Sequence, residues 1–517
     1  MKKLKLVCVA IAMAGAAPTF AGGLLTNTNQ HVAFNRMMSR EASIGIDGVY
    51  YNPAGVVFMG EGHHLAINWQ LAYQTRTINN DYKLFTNNVN NPITPRDFKG
   101  KAFAPVIPSF QYAYNKGKWS FQANFALTGG GGKCTFDDGL GSFEKIVSET
   151  ALAACQLAGA VDQVAAQYGV PAVFTSDKNF GKEGKYSYNS YMHGRQYYYG
   201  LSLGAAYKFS DNFSAFAGVR GVYASTNYYG YVENIKVGAM PLYKVLDPTK
   251  ETAANIELSC DQSGVGFTPI IGVDFKTGKW NFAAKYEFKT RIRLKNKSVN
   301  QAPSIGNLPD NLRNAYIAGG VPEAAADAII GNPVIQGAMG QLKTQFDAKL
   351  EKAIGEYEDG KKIAGDIPAY LALGIGYSPV DAVRVNVGFH WFDDKNATSY
   401  NNRNKELKRG TLEYNAGVEV DVNKKITLST GWQNTNYGLS DEYMDDKSFV
   451  VGSNSAAIGG VYHINKKMDL NVAYFHTFYQ HKKTSETVQL AADKSIVYNS
   501  DYTRNNNVFA VGLDINF

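Results

Sequence analysis

Apolar and polar residues alternate with a period of two at the end of the chain. In Asn507–Phe517 one face is small or polar and the other is apolar, with Phe509, Val511, Leu513, Ile515 and Phe517. This period predicts a β-strand with one apolar face. Such a strand ending in an aromatic residue is typical of a bacterial outer-membrane β-barrel, where it resembles the signal read by the barrel-insertion machinery. Only helices and closed barrels satisfy every backbone hydrogen bond within a membrane.

Short polar turns divide the rest of the chain into pairs of alternating strands. The six turns are Asn115–Lys118, Ser210–Asn212, Lys276–Lys279, Ser378–Asp381, Asn423–Lys425 and Asn465–Lys467. They are rich in residues that tolerate tight reversals. With a first strand at Leu65–Thr75 and the last strand, they predict an all-β membrane protein, a transmembrane antiparallel β-barrel of about fourteen strands in outer-membrane lipid. A secreted sandwich or propeller is the alternative.

Long connections alternate with the short turns, which places the short turns on the periplasmic side and the long loops outside the cell. Two of the long loops, at about residues 129–195 and 295–365, contain apolar residues at helical spacing. The helical stretches lie in Gly141–Tyr168 and in Asn311–Tyr357, which includes Ile335–Ile354. These extracellular helices either pack as a loop cap or form a mouth where a ligand first docks.

The start of the chain has two parts. Lys2, Lys3 and Lys5 precede the apolar run Leu6–Ala17, which predicts a signal peptide over residues 1–21. Residues 22–62 do not alternate. A fourteen-stranded barrel has a lumen too wide for side chains alone to fill. We therefore expect residues 22–62 to form a hatch, a plug inside the barrel of residues 63–517.

Composition and charge fit an exported barrel. The chain has 33 Tyr, 28 Phe and 51 Gly, which suit interfacial aromatic girdles and tight turns. The net charge of +7 is too small and too evenly spread to predict binding of nucleic acid. Beyond the signal, Cys134, Cys155 and Cys260 permit one disulfide and one spare thiol. No nucleophile elbow, Cys-x-x-Cys or His-x-x-x-His is present, so no enzyme activity, metal or cofactor is predicted.

The predicted hatch carries a family resemblance. Asn27–Gly55 reads NTNQHVAFNRMMSREASIGIDGVYYNPAG and resembles the hatch of the FadL family of outer-membrane transporters for long-chain fatty acids and other hydrophobic compounds. The resemblance implies that the motif Asn52, Pro53 and Ala54 packs near a kink in the third strand, where substrate leaves sideways into the membrane. It also implies fourteen strands and helical extracellular loops. Asp366–Pro379 resembles a strand of the same family, whereas the loop Lys295–Asp366 is longer than in its better-known members.

Three groups of candidate site residues follow, each with an alternative. Thr128, Gly129 and Gly130 either border the wall opening or begin a flexible loop. Five apolar hatch residues either line a ligand path or pack the hatch against the wall: Phe34, Met37, Met38, Phe58 and Met59. Arg36 and Arg40, four residues apart and on one face if the stretch is helical, either bind a ligand carboxylate or pair with Glu41 or Asp47.

The sequence therefore favours passive uptake of hydrophobic small molecules such as fatty acids across the bacterial outer membrane. A long alkyl chain needs a protein groove because burying apolar surface is worth about 25 cal/mol per Å². A secretion shuttle or binding scaffold is the alternative. A polar porin is a further alternative, which a hatch would disfavour.

Overall fold

The computed structural model describes residues 23–26, 30–491 and 494–517. Fourteen antiparallel strands form a closed barrel, because the last strand pairs with the first from His64↔Asn516 to Tyr82↔Tyr498. The strands are β1 (Gly62–Tyr82), β2 (Arg96–Lys116), β3 (Trp119–Phe136), β4 (Tyr186–Lys208), β5 (Phe213–Val237), β6 (Ile256–Thr277), β7 (Trp280–Glu287), β8 (Tyr370–Val380), β9 (Val383–Phe392), β10 (Arg409–Asn423), β11 (Ile426–Gly438), β12 (Ser453–Asn465), β13 (Met468–Tyr479) and β14 (Lys494–Asn516). The predicted fold class is confirmed.

Each of the six predicted turns joins a pair of neighbouring strands. The strands themselves are longer than predicted. β1 covers Gly62–Tyr82 rather than Leu65–Thr75, and β3 continues through Thr128, Gly129 and Gly130 to Phe136 rather than giving way to a flexible loop there. Most of the extra residues lie at the loop end of the strands, beyond the apolar band, where neither face needs to be apolar. The hydrogen-bond ladder continues there although the alternation stops.

The barrel wall is apolar outside and polar inside. Outward side chains such as Leu201, Leu203 and Phe267 are exposed, as lipid-facing residues of a barrel are. Inward side chains such as Gln111 and Asn124 are buried and hydrogen-bonded to each other. The three cysteines are free and buried.

Helices lie inside the barrel and in the loops. The inner ones are α1 (Val32–Arg36), α2 (Gly48–Tyr51) and a 3-10 turn (Gly55–Phe58). The loop helices are α3 (Gly141–Gln167), α4 (Tyr243–Leu246), α5 (Leu308–Ala318), α6 (Glu323–Ile330) and α7 (Pro333–Ile354). Short 3-10 segments are Lys83–Asn87, Gly355–Tyr357, Asp394–Asn396 and Tyr400–Glu406. Short strands of the loops are Met240–Pro241, Arg293–Gln301, Lys362–Ala364 and Lys482–Ala491. Among the described helices, none is both long and apolar enough to span a membrane.

Residues 30–61, the inner segment, contact the wall on every side. α1 packs against β12, β13 and β14, and α2 packs against β2 and β3. The 3-10 turn packs against β3, β4 and β6, while polar contacts reach β7, β9 and β10. A segment that touches strands all round a closed ring has to lie inside it. The predicted signal peptide, residues 1–21, lies outside the described residues.

Candidate functional site

The ladder between β2 and β3 is interrupted in the upper part of the wall. Ala102 pairs with Cys134 and the next pair is Ser109↔Ala126, so residues 103–108 and 127–133 face each other without ladder pairs. We call these two stretches the wall gap. The predicted opening residues Thr128, Gly129 and Gly130 lie on its β3 side, within the strand and not at the start of a loop. Their role in transport stays a prediction.

Two kinds of residue explain why the chain does not pair here. Pro105 and Pro108 on β2 have no N–H to donate to a neighbouring strand. On β3, Gly130 and Gly132 have φ angles of 96° and 74°, which are far from strand geometry and favour glycine. The β3–β4 register also shifts on both sides of Gly129. The wall gap is therefore encoded by both of its strands.

A cavity of about 420 Å³ lies in the lumen behind the wall gap. On the gap side it is lined by Phe103, Val106 and Leu127. On the lumen side it is lined by Ala72, Tyr437, Phe475 and Val508, among others. The cavity therefore connects the lumen to the interrupted part of the wall, and polar and apolar groups line it in about equal measure.

Two arginines face each other across one end of this cavity. Arg76 on β1 and Arg504 on β14 are register partners and both line the cavity. Both guanidinium groups donate to Gln74 Oε1, at 3.2 Å from Arg76 and 2.7 Å from Arg504. Within the described residues, neither arginine forms an ion pair with a carboxylate, and Arg504 Nε is buried without a partner. Guanidinium groups that have no carboxylate partner can donate charge-assisted hydrogen bonds to an anion.

Residues 23–26 lie against the same cavity. Gly23, Leu24 and Thr26 line the cavity, and the Thr26 and Tyr437 hydroxyls lie 2.8 Å apart. Leu24 packs so closely on Gly129 that an added Cβ there would lie 2.9 Å from Leu24 Cδ1. Gly129 thus has a packing reason to be glycine, which sequence reasoning did not identify.

The motif Asn52, Pro53 and Ala54 is hydrogen-bonded to the wall at each residue. Asn52 Nδ2 donates to Asp274 Oδ2 on β6 at 2.6 Å. The Pro53 carbonyl accepts from Gln122 Nε2 on β3 at 2.7 Å, and the Ala54 carbonyl accepts from Ser214 Oγ on β5 at 2.7 Å. The motif therefore joins the inner segment to three strands, including the one that carries the glycines of the wall gap.

The predicted carboxylate partners Arg36 and Arg40 are already paired. Arg36 contacts Glu419 on β10, and Arg40 lies 2.7 Å from Asp47 and 3.6 Å from Glu419. Burial alone would raise the pKa of Asp47, but the adjacent Arg40 guanidinium outweighs burial and holds that pKa below its ordinary value. α1 ends at Arg36, so the two arginines do not share a helix. A ligand carboxylate would have to displace a protein one, and the binding role stays a prediction.

A second charged contact ties the inner segment to the wall. His390 on β9 lies with one ring nitrogen 2.7 Å from Glu41 and the other 2.9 Å from Glu413 on β10. All three side chains are buried. Together with the Glu419 contacts, this pair of bonds holds residues 36–47 against β9 and β10.

The predicted apolar lining residues pack one layer away from the cavity. Phe34 and Met38 are fully buried against Phe475 and Val508, which themselves line the cavity. Met37 is also fully buried, while Phe58 and Met59 pack in two small clusters near the short turns. None of the five lines the 420 Å³ cavity. Whether they border a ligand path stays a prediction.

The helical loops enclose a second, smaller cavity of about 80 Å³. Its lining is almost wholly apolar and comes from α3, α5 and α7 with neighbouring loop residues, for example Leu157, Phe174, Leu312 and Phe346. The same helices share a large buried core. Both interpretations of these helices, a packed cap and a docking mouth, are compatible with this arrangement.

A buried carboxyl in the loops gives a pH-dependent prediction. Burial raises the pKa of Glu356 to about 8 from 4.5, against the opposing charges of Lys447 and Arg403. The folded protein therefore holds this proton more tightly than the unfolded chain. Its stabilising effect is complete below pH 4.5 and is lost as the pH rises through 8, by about 1.4 kcal/mol for each unit between the two pKa values. We expect Glu356→Gln to unfold at a higher temperature than wild type at pH 9, and the difference to shrink at pH 5.

The matched control is Glu358→Gln, because the Glu358 side chain is 71% exposed. Its unfolding temperature should follow wild type at both pH values, since exposed ion pairs contribute little. Equal pH dependence in wild type and Glu356→Gln would contradict the assignment of the raised pKa to Glu356.

Comparison with known proteins supports the fold. No protein-family model matches the sequence, and no curated protein is matched. Among solved structures, a FadL homologue of Pseudomonas aeruginosa has a TM-score of 0.59 at 15% identity, covering 96% of this chain and 100% of that one. The toluene transporter TodX of Pseudomonas putida has a TM-score of 0.50 at 12% identity, covering 92% and 94%. A deletion mutant of TodX, a monoaromatic hydrocarbon channel, has 0.52 at 14%, covering 94% and 98%. The chain therefore has the FadL-family fold, as the resemblance of its N-terminal region implied.

Proposed function

We propose that the protein is an outer-membrane channel for passive uptake of hydrophobic compounds, and that long-chain fatty acids are its substrate class. The observation that carries the proposal is the cavity behind the wall gap, which has apolar side chains along part of its wall and the Arg76–Arg504 pair at one end. The fold likeness to a FadL homologue and to toluene channels supports a hydrophobic cargo and a bacterial outer-membrane location.

The cavity matches an amphipathic anion. The two guanidinium groups supply charged hydrogen-bond donors for a carboxylate, the strongest kind of hydrogen bond in proteins. The apolar part of the lining, which includes Phe103, Val106 and Leu127, supplies a surface along which an alkyl chain is removed from water, worth about 0.8 kcal/mol for each buried CH₂. A neutral hydrocarbon would use only the second contribution. The arginine pair therefore favours a fatty acid over a toluene-like cargo.

The route that we propose has three steps. The apolar helices of the loops receive the compound at the cell surface, and the cavity then holds it with its carboxylate at the arginine pair. The compound leaves sideways through the wall gap into the lipid. The inner segment acts as the hatch and blocks a straight path to the periplasm. No energy source is needed, because the compound moves from one apolar environment to another.

The experiment compares binding of oleate and methyl oleate to the purified protein and to an Arg76→Gln, Arg504→Gln double variant. Each lost charged hydrogen bond costs about 1.5–3 kcal/mol, so oleate should bind at least about tenfold more weakly to the double variant. Methyl oleate, which has no charge, should bind almost equally to both proteins.

The matched control is Arg409→Gln, which removes an exposed arginine that contacts Asn436. It should bind both ligands like wild type. Failure of wild type to bind either ligand would contradict the proposed function. Binding of oleate that does not change in the double variant would contradict only the assignment of the arginines.

A further inference from the structure

A cluster of cations lies on the outer wall beside the gap, away from the lumen. Lys133 on β3 and Arg195 on β4 are register partners, and Lys101 on β2 is the partner of Thr135, two residues further along β3. Side chains directly opposite in a sheet have Cβ atoms about 5 Å apart, and diagonal ones about 7–8 Å. We call Lys101, Lys133 and Arg195 the outer cation patch.

The patch faces outward. On β3 the neighbours Cys134 and Phe136 are buried in a cluster with Ala102 and Met192, so these residues point inward. Lys101 and Lys133, at alternate positions, are exposed. Because side chains alternate along a strand, the three cations share the outer face.

No protein carboxylate balances the patch within the described residues. Two carboxylates on the same face are already engaged: Asp97 lies 3.3 Å from Lys99, and Asp261 accepts from Asn227. The chain forms no ion pair with the patch in the part that the structure describes, and Arg195 Nε is buried without a partner. Like charges directly opposite on neighbouring strands repel each other. No carboxylate offsets the repulsion between Lys133 and Arg195, so an anion from outside the chain would stabilise the patch.

The position of the patch along the barrel axis shows which part of the membrane such an anion would come from. On β4 the outward apolar face extends from Phe209 to Tyr199. Ten residues at about 3.3 Å each, tilted by about 40°, span roughly 25 Å along the barrel axis, which is the height of the apolar band of such barrels. Arg195 lies four residues further up, roughly 10 Å above the band, at the level of lipid headgroups.

We infer that the outer cation patch binds the phosphate groups of a phosphorylated glycolipid in the outer leaflet. Its charge complements phosphate, and Arg195 offers the planar guanidinium that phosphate favours. A membrane lipid has its headgroup at this height and its acyl chains beside the apolar wall below. Lys133 is the last β3 residue of the wall gap, so the bound headgroup lies at the upper rim of the gap. The inference does not rest on which compound the channel carries.

The test titrates the purified full-length protein in detergent with bisphosphorylated lipid A and detects the complex by native mass spectrometry. The variant is Lys101→Gln, Lys133→Gln, Arg195→Gln. The control is Lys424→Gln, Lys425→Gln, Lys466→Gln, which removes the same charge from exposed residues of the short turns. The patch variant should bind lipid A at least about tenfold more weakly than wild type, and the control should bind like wild type.

Three results would overturn the inference. The first is a patch variant that binds lipid A like wild type. The second is equal binding of wild type to lipid A from which both phosphates have been removed. The third is displacement of lipid A by inorganic phosphate at similar concentrations, which would assign the patch to a free anion. Far-UV circular dichroism of each variant verifies that the barrel is folded, so lost binding cannot be confused with unfolding.

Discussion

A disulfide across the wall gap is expected to reduce uptake of oleate to the level of cells without the protein. Ala104 on β2 and Gly132 on β3 face each other, and a Cβ placed on Gly132 would lie 3.7 Å from the Ala104 Cβ. This separation matches the mean Cβ–Cβ distance of disulfides, about 3.8 Å. Ala104→Cys and Gly132→Cys are therefore close enough to form a disulfide. If cargo leaves sideways between β2 and β3, the bond blocks its exit, and reduction by dithiothreitol restores uptake.

The crosslink needs a background without the native thiols, Cys134, Cys155 and Cys260, because Cys134 lies only two residues from Gly132. The single variant Gly132→Cys controls for backbone strain, since φ at Gly132 is 74° and any side chain is unfavourable there. Mass spectrometry establishes that the bond has formed. Uptake by the fully oxidised double variant at the rate of its reduced form would place the exit elsewhere.

The barrel could be predicted because its signals are local. Each strand alternates in its own sequence, and each short turn carries its own polar residues, such as Asn465 and Lys467. The two-residue period does not depend on which strand lies next to which. The ends of the strands were harder to predict from the sequence. Hydrogen bonding between strands continues beyond the apolar band, where the apolar pattern has stopped, as in β3 beyond Thr128.

The wall gap could be only partly predicted. The glycines at 129–132 pointed to an irregular site, but the interruption also depends on Pro105 and Pro108 in the neighbouring strand. That signal was present in the sequence. The two prolines indicate an interruption only when the strand register is known, because the register places residues 103–108 opposite residues 127–133.

The arginine pair could not be predicted. Arg76 and Arg504 meet because the last strand closes the ring against the first, in one particular register. A shift of one residue would turn one of the two arginines to the lipid face. In the same way, the sequence offered Asp47 as a partner for Arg40, and this contact exists. Glu419, which contacts Arg36, Arg40 and Arg384, comes from a distant strand and carries no local signal.

Glu419 is expected to be one of the most sensitive positions for stability. Its carboxylate lies 2.8 Å from Arg384 Nε, 3.6 Å from Arg40 Nη1 and in contact with Arg36, and its side chain is 10% exposed. Glu419→Gln leaves these guanidinium groups without their shared counter-charge. Removing one partner of a buried ion pair costs about 3–5 kcal/mol, because the remaining charge stays desolvated. Arg40 and Arg384 keep Asp47 and Asp421, so most of the cost falls on Arg36.

Arg36 is the last residue of α1, and α1 is the part of the inner segment that packs on β12, β13 and β14. Loss of its counter-charge should therefore loosen the inner segment before it unfolds the wall. We expect Glu419→Gln to lower the midpoint of denaturant unfolding and to raise single-channel conductance in a planar bilayer. Asp347→Asn is the matched control: it removes a carboxylate from an exposed pair with Lys343, which is worth less than about 1 kcal/mol. Lower stability with unchanged conductance would mean that the remaining contacts of the inner segment suffice to keep the lumen closed. Unchanged stability would contradict the view that the buried charges hold the inner segment in place, and would assign that role to its apolar packing.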